Sequence, residues 1–575
     1  MTRKMRRWIV GLVVLGIAAG GLALDLSARG LIWQFFWSQT GEEQPLAQVR
    51  AMVEWLGNLT RPQPVLNHLT PVQHTGDSPW GINTFLQLEP DPAKVEQQFV
   101  QIQEVGFTWI RQEFPWEDIE IHGRGDFSDR RNESAIGIVD AWAKYDRIVA
   151  LAEQYGVRIQ ARIGNPPQWA QASPDAGDMA PPVNMDDYIT FVQTLAERYK
   201  GRIDVYQIWN EPNIYPEWGE NPVDPELYTE MLCRAYEVLK ATDPQNIVIS
   251  GALAPTVSLT DRDLNEFIFL QRMYDSGAGA CFDVLSMQGY GLNSGYPDRR
   301  LRSTTVNVNR SLYIRDMMVA NGDADKSIWL SEAAWNSVPS EEDDPKFIDA
   351  RYNFGQVTRE QAARYITGFY ERIHREWPWV GVVNYWFMTL PDDSRSDESF
   401  YYFRIVDPFY SPENPRFAPL PVYDALKTYI AQQKADPVLY AGTHQLDGHW
   451  AVETDGQSAD LLGAQFGTAL LARQTHLTVY GTDVRLRWFG GTITVTTEGM
   501  PPQTYTRAEG LFTETQLRSS LLPQRHELTI DSRVPAYLDA LQVDDRSGRY
   551  LIALAAIVII GALAMLRARV VWRRR

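Results

Sequence analysis

From Trp80 onward, short apolar runs alternate with stretches whose apolar residues recur at helical spacing. Residues 80–83, 107–111, 157–163, 203–208, 247–250, 282–287, 327–332 and 380–386 read as strands. Residues 92–105, 136–155, 186–199, 228–242, 267–276 and 358–376 read as helices; in 92–105, Val95, Phe99, Ile102 and Val105 share one face. Residues 421–430 supply a closing helix. Such alternation implies a parallel sheet, and eight strands are what a closed barrel needs.

The texture changes beyond Gln433. Residues 449–453, 476–480, 484–488, 492–496 and 526–530 are short and alternating, with turn residues between them. They predict a β-sandwich of jelly-roll type, which either binds glycan or spaces the barrel from a membrane; the spacer role is favoured.

Both ends are apolar. Residues 1–7 are basic, and residues 8–24 carry no charge before Asp25. This is an N-terminal membrane anchor or a signal peptide, with Gly21-Leu22-Ala23 as a possible cleavage site. Residues 550–566 form a second uncharged run, followed by five arginines up to Arg575. The positive-inside rule then puts both ends in the cytoplasm, if the first segment is uncleaved, and everything between them outside. Between the first anchor and the barrel, Leu31-Ile-Trp-Gln-Phe-Phe-Trp37 either lies on the membrane surface or packs on the barrel, and Arg61-Pro-Gln-Pro64 reads as an extended tether. The divisions expected are 1–25 anchor or signal, 26–77 connector, 78–433 barrel, 434–545 sandwich, 550–566 transmembrane helix and 567–575 basic tail.

The chain has a net charge of −18 although both ends are basic, so the part between is more acidic still. This suits an extracytoplasmic surface and argues against nucleic acid as a partner. Cys233 and Cys281 are the two cysteines. One disulfide is open to them, but Cys233 in a helical pattern and Cys281 before a strand read as buried thiols. No zinc spacing is present, and neither metal nor cofactor is expected.

The candidate chemistry sits at strand ends. Gln207-Ile208-Trp209-Asn210-Glu211-Pro212-Asn213 closes an apolar strand with polar groups, and Pro212 cannot continue the ladder. Glu211 is thus held at the mouth of a core, where a shielded carboxyl keeps its proton. Asn210 can donate to and accept from a sugar hydroxyl. Glycoside hydrolysis by this route needs a second carboxylate, and Ser327-Ile-Trp-Leu-Ser-Glu332-Ala-Ala-Trp335 supplies one at another strand end.

These two motifs, in this order, resemble the retaining glycoside hydrolases of clan A, with their cellulase- and β-xylosidase-like families. The resemblance covers residues 78–433 and implies a (β/α)8 barrel. It implies that Glu211 is the acid/base and Glu332 the nucleophile, ending strands four and seven. Arg111 matches the arginine that orients the nucleophile, Tyr290 the tyrosine that hydrogen-bonds it, and Trp386 the aromatic sugar platform. Gln288 stands where the clan usually has a histidine, two residues before the tyrosine, which bears on substrate choice rather than on the reaction. Trp169, after the rigid Gly164-Asn165-Pro-Pro segment, is placed to flank a sugar, and Tyr215 and Trp218 are free to form a subsite. The expectation is a membrane-anchored extracytoplasmic retaining glycosidase acting on an oligo- or polysaccharide. The alternatives are a transglycosidase by the same chemistry, or an inactive glycan-binding or scaffold protein on the same barrel.

Overall fold

A computed structural model of the chain describes residues 2–340, 354–409, 415–507, 510–548 and Gly561. The expected C-terminal membrane segment and basic tail lie outside the described residues, apart from Gly561.

Eight parallel strands close into a barrel. They are β1 Trp80–Thr84, β2 Trp109–Pro115, β3 Arg158–Gly164, β4 Val205–Ile208, β5 Ile247–Ile249, β6 Val284–Gln288, β7 Ser327–Ala333 and β8 Val380–Tyr385. Each pairs with its neighbours in sequence, and β8 returns to β1. Every residue of β1, β4, β6, β7 and β8 is buried. That is why these strands read as continuous apolar runs: helices cover the outside while side chains fill the inside.

The barrel interior is graded. At the end where the strands start, Trp109, Val205, Ile247, Val284, Trp329 and Val382 form an apolar plug. Above it Gln160 and Asn384 pair through their amides, at 3.0 and 3.3 Å. Gly81 is needed beside this pair, since a Cβ there would come within 2.0 Å of Asn384 Oδ1. Polar groups increase toward the strands' C-terminal ends, the face on which barrel enzymes carry their sites.

Three helices precede the barrel: α1 Arg3–Ser27, α2 Leu31–Thr40 and α3 Pro45–Asn58. Within α1, residues Trp8–Ser27 are long and apolar enough to cross a membrane, with a mean hydropathy of 2.3. A signal peptide and a signal anchor both have this form. The connector is therefore largely helical. Gly41, in the left-handed region at φ 63, ends α2, and Pro45 opens α3. Trp37 of α2 packs against Tyr296 and Tyr365, so this segment does pack on the barrel. Arg61 to Val65 also lies along it: Arg61 Nη1 donates to Leu301 O and Val65 N to Asp316 Oδ1.

The barrel helices are α4 Pro92–Val105, α5 Ala143–Tyr155, α6 Met185–Arg198, α7 Pro225–Thr242, α8 Glu266–Asp275, α9 Arg310–Ala320, α10 Arg359–Glu376 and α11 Pro421–Ala435. Residues 136–155 were expected as one helix, but α5 begins only at Ala143. Gly137, at φ 78, ends a single helical turn, and Ser128–Asp129 pairs with Val139–Asp140 instead. Thr358 and Gln361 form a capping box on α10. Cys233 of α7 and Cys281, ahead of β6, form a disulfide rather than two thiols. The chain brings their Cα atoms to 4.6 Å, within bridging range, which spacing in the sequence does not reveal.

The C-terminal region is an antiparallel β domain. Its strands are β9 Gly442–Gln445, β10 Glu453–Thr454, β11 Gln457–Asp460, β12 Thr468–Phe489, β13 Gly491–Thr497, β14 Gln503–Arg507 and β15 Thr513–Asp544. Several expected short strands merge into the two long ones. Residues 484–488 pair with 513–518 on one edge and with 538–543 on the other, so β15 flanks the same segment twice and the sheet curls round its core. Leu486, Trp488, Leu528 and Leu541 lie in that core.

Candidate active site

Asn83, Asn210, Glu211, Gln288, Tyr290 and Glu332 stand at or just beyond the C-terminal ends of barrel strands, and Arg111 lies within β2. Neighbouring registers align Asn83 with Arg111, and Gln288 with Glu332.

Glu332 is buried and doubly held. Arg111 Nη1 donates to its Oε1 at 3.0 Å, and the Tyr290 hydroxyl donates to its Oε2 at 2.7 Å. Burial, then the charge of Glu332, pushes the Tyr290 phenol well above its ordinary range, so it remains a donor. Arg111 is itself fixed by three more acceptors: Gln207 Oε1 at 2.7 Å, Asn83 Oδ1 at 2.8 Å and Asn210 Oδ1 at 2.7 Å. The amide of Asn83 can face only this way, because its Nδ2 donates to Ser331 O and Tyr385 O. A carboxylate with a guanidinium and a phenol on separate oxygens is oriented and charge-balanced.

Glu211 is in the opposite situation. Burial, then the charges of Glu332 and Glu217, holds its carboxyl well above the usual carboxylate range, opposed by a hydrogen bond from Gln288 and by the charge of Arg111. Its surroundings therefore favour the protonated form. The backbone here is unusual: Trp209 has φ 72 and Glu211 φ 41, both in the left-handed region. Residues other than glycine hold that conformation at a cost of roughly 1–3 kcal/mol each, and it recurs at functional sites. It is pinned by Glu211 N donating to Ala252 O at 2.8 Å and by Trp209 Nε1 donating to Glu217 O at 2.7 Å.

Asn210 links Arg111 to Glu217, whose carboxyl burial also raises: its Oδ1 accepts from Arg111 and its amide hydrogen-bonds Glu217. Arg162 Nη2 lies 3.2 Å from Glu113 Oε1 and 3.6 Å from Glu217 Oε2. Glu117, on the turn after β2, is pushed up to about 7 by burial, then by Asp178 and Glu113. Among the described residues Gln288 Oε1 is buried without a hydrogen-bond partner. A buried acceptor left open beside two carboxyls is suited to a substrate hydroxyl.

The aromatic residues divide. Trp386 ends β8, is half-buried, and stacks edge-on against Phe85 with ring centres 5.5 Å apart. Trp169 is tied elsewhere: its Nε1 donates to Glu120 O at 2.8 Å and its ring packs edge-on against Trp116. These contacts tie it to the loop after β2. Trp218 is no subsite residue, being 1% exposed and packed against Trp209 and Tyr228. Tyr215 does stay exposed, with the Arg262 guanidinium 3.9 Å from its ring centre. Sequence reading passed over Asn83, Gln207, Glu113, Arg162, Glu117 and Glu217. The signal for Asn83 and Gln207 was a lone amide inside an apolar strand, which in a buried strand must point at a partner.

No protein-family model matches the chain, and no curated protein does. Among solved structures it is similar to a family 39 glycoside hydrolase from Bacteroides cellulosilyticus, at 18% identity and TM-score 0.44, covering 79% of this chain and 80% of that one. It is similar to a family 39 β-xylosidase from Caulobacter crescentus, at 14% identity and TM-score 0.41, covering 82% and 98%. It is also similar to a glucosidase from Croceicoccus marinus, at 11% identity and TM-score 0.45, covering 81% and 98%. Similarities this distant add nothing to the argument; the (β/α)8 barrel stands on its own strand order.

Proposed function

We propose that the chain is a retaining O-glycosidase, held at the outer face of a membrane by its N-terminal helix and acting on an oligo- or polysaccharide. One observation carries the reading: Glu332 is held by Arg111 and Tyr290 on separate oxygens, while the surroundings of Glu211 favour its protonated form. An oriented carboxylate beside a carboxyl that can give up a proton is what double displacement requires.

In the first step a Glu332 oxygen attacks the anomeric carbon. The bond to the leaving oxygen breaks, and the Glu211 proton goes to that oxygen. The glycosyl ester removes the charge of Glu332, one of the causes that kept Glu211 protonated. Glu211, now a carboxylate, takes a proton from water as the water oxygen attacks the anomeric carbon, and Glu332 leaves. Asn210 and Gln288 bind sugar hydroxyls in this reading, and Trp386 offers an apolar face to the ring. A sugar hydroxyl in place of water would give transglycosylation. The β domain serves as support for the barrel.

The test is to incubate the purified full-length protein with a panel of aryl glycosides and polysaccharides, then trap it with the fluorinated analogue of whichever glycoside turns over. The expected result is a covalent adduct on Glu332 and a first-formed product of retained configuration. An inverted product, or an adduct on another residue, overturns the mechanism. Inertness toward every substrate together with measurable glycan binding would favour the scaffold.

A further inference from the structure

The two helices between α1 and the barrel turn a second set of apolar residues away from the protein. On α3 the outward positions are Leu46, Val49, Val53 and Leu56, at helical spacing. Leu46 is 76% exposed, Val53 70% and Leu56 54%. The inward side holds the buried Ala51 and Met52 together with Gln48, which donates to Trp33 O, and Asn58, while Glu54 pairs with Arg300 and Arg302. On α2, Leu31 and Phe35 also face outward, and Phe35 meets Trp55 of α3 with ring centres 6.2 Å apart. In water this arrangement is unfavourable: soluble monomers rarely expose one continuous apolar face of this kind.

What covers the face follows from the helix joined to it. Residues Trp8–Ser27 number 20, and their rise matches the roughly 30 Å hydrocarbon core of a bilayer. Only 6% of that window of α1 is buried, so among the described residues it too is left uncovered. The end of α1 is fastened directly to α2. Asp25 Oδ1 accepts from Trp33 N at 3.0 Å, and Leu26 and Trp33 are buried together at the turn. With Ala28, Arg29 and Gly30 alone between the helices, α2 starts where α1 leaves the hydrocarbon.

We propose that α2 and α3 make a second, monotopic contact with the bilayer, their outward apolar residues Leu31, Phe35, Leu46, Val49, Val53 and Leu56 seated at the headgroup–acyl boundary. The proposal rests on the reading of α1 as a membrane helix. It changes how the barrel is held. Gly295 N donates to Gly41 O at 2.8 Å and Arg299 N to Gln39 O at 2.9 Å, so the helices grip the loop after β6, which carries Tyr290. The catalytic domain is docked on the membrane through that loop, not suspended from a flexible tether.

The test uses single cysteines in the full-length protein, since both native cysteines are in the disulfide. Val53→Cys, Leu56→Cys, Leu15→Cys in α1 and Leu462→Cys in the β domain are each labelled with an environment-sensitive fluorophore. All four sites are exposed, which keeps the fold undisturbed. Each protein is reconstituted into phosphatidylcholine–phosphatidylglycerol vesicles with a nitroxide on the shallow acyl chain. The expected result is a blue shift and severalfold stronger quenching at positions 53 and 56 than at 462. If position 15 is quenched while 53 and 56 behave like 462, the docking is overturned and the anchor stands. If neither 15 nor 53 and 56 are quenched, the anchor reading fails and the docking with it. A blue shift at 53 and 56 without lipid quenching, in a self-associating protein, assigns the face to a second copy and also overturns the proposal.

Discussion

At the scale of single residues, the two glutamates differ in what holds them, and this gives separable outcomes. Glu332→Gly removes the attacking oxygen and leaves a space beside C1. Its activity should fall to near background, and azide should restore turnover with an inverted glycosyl azide as product. Glu211→Ala removes the proton donor. Its kcat/KM should fall roughly a hundred- to ten-thousand-fold on glycosides with poor leaving groups and far less on activated aryl glycosides. Azide should rescue it with retained configuration. Product stereochemistry by NMR checks both, and exchanged stereochemistry would exchange the roles. The structure brings Glu332 together with Arg111, Asn210 and Tyr290; both glutamates and Asn210 were picked out as polar groups ending apolar runs, and Arg111 and Tyr290 through the family resemblance. The residues that hold them were less legible in the sequence. Asn83 and Gln207 act by fixing one rotamer of Arg111, and nothing in a linear pattern says which buried amide meets which guanidinium. Trp218 was misplaced because an aromatic residue on a loop has the same signature whether it faces a substrate or a core.

At the scale of elements, the eight strands were read with small shifts at their ends, because strands buried on both faces leave continuous apolar runs. Helices α2 and α3 show the converse. Residues 26–77 were read only as a connector, and that Leu46, Val49, Val53 and Leu56 of α3 face away from the protein follows from where the barrel lies. The disulfide is another such case, since it depends on α7 and the approach to β6 meeting in space. It closes a loop of 48 residues, and a bridge of that span stabilises by about 2–4 kcal/mol through restriction of the unfolded chain. Such bridges persist in oxidising compartments, in keeping with the proposed extracytoplasmic placement. Cys233→Ala with Cys281→Ala should lower the unfolding free energy by about that amount while leaving kcat/KM near its original value, because neither cysteine contacts the site. Denaturant titration and steady-state assays measure the two effects separately. An equal loss of activity in a protein that remains folded would show that the bridge positions the site.

At the scale of the whole molecule, the β domain is docked against the end of the barrel where the strands start. Trp450 meets Trp80 with ring centres 4.9 Å apart, its N–H donates to Gly76 O, and Thr443 Oγ1 donates to Leu69 O. Three histidines are built into this junction. His374 packs against Tyr440 and Trp450, and His444 against His449. Burial, then the neighbouring His444 and Arg375, holds His374 down at about 4. Burial lowers His444, and burial with the other two histidines sends His449 well below its ordinary 6.5. Arg375 and Lys434 face the same region, Glu371 pairs with Arg375, and Asp436, kept low by Arg525, stays charged over the range in question. The folded state therefore prefers all three histidines neutral. Unfolded, they take up protons near 6.5, so below that value the unfolded chain binds more protons than the folded one. This contribution to stability is complete above pH 6.5 and is lost as pH falls toward 4. The melting temperature of the full-length protein should drop by several degrees across that window, with an early change in the fluorescence of the junction tryptophans. His374→Leu should show a shallower slope over the same window, since one of the three sites no longer takes up a proton on unfolding. Parallel slopes in the two proteins would mean that groups outside the junction set the acid stability.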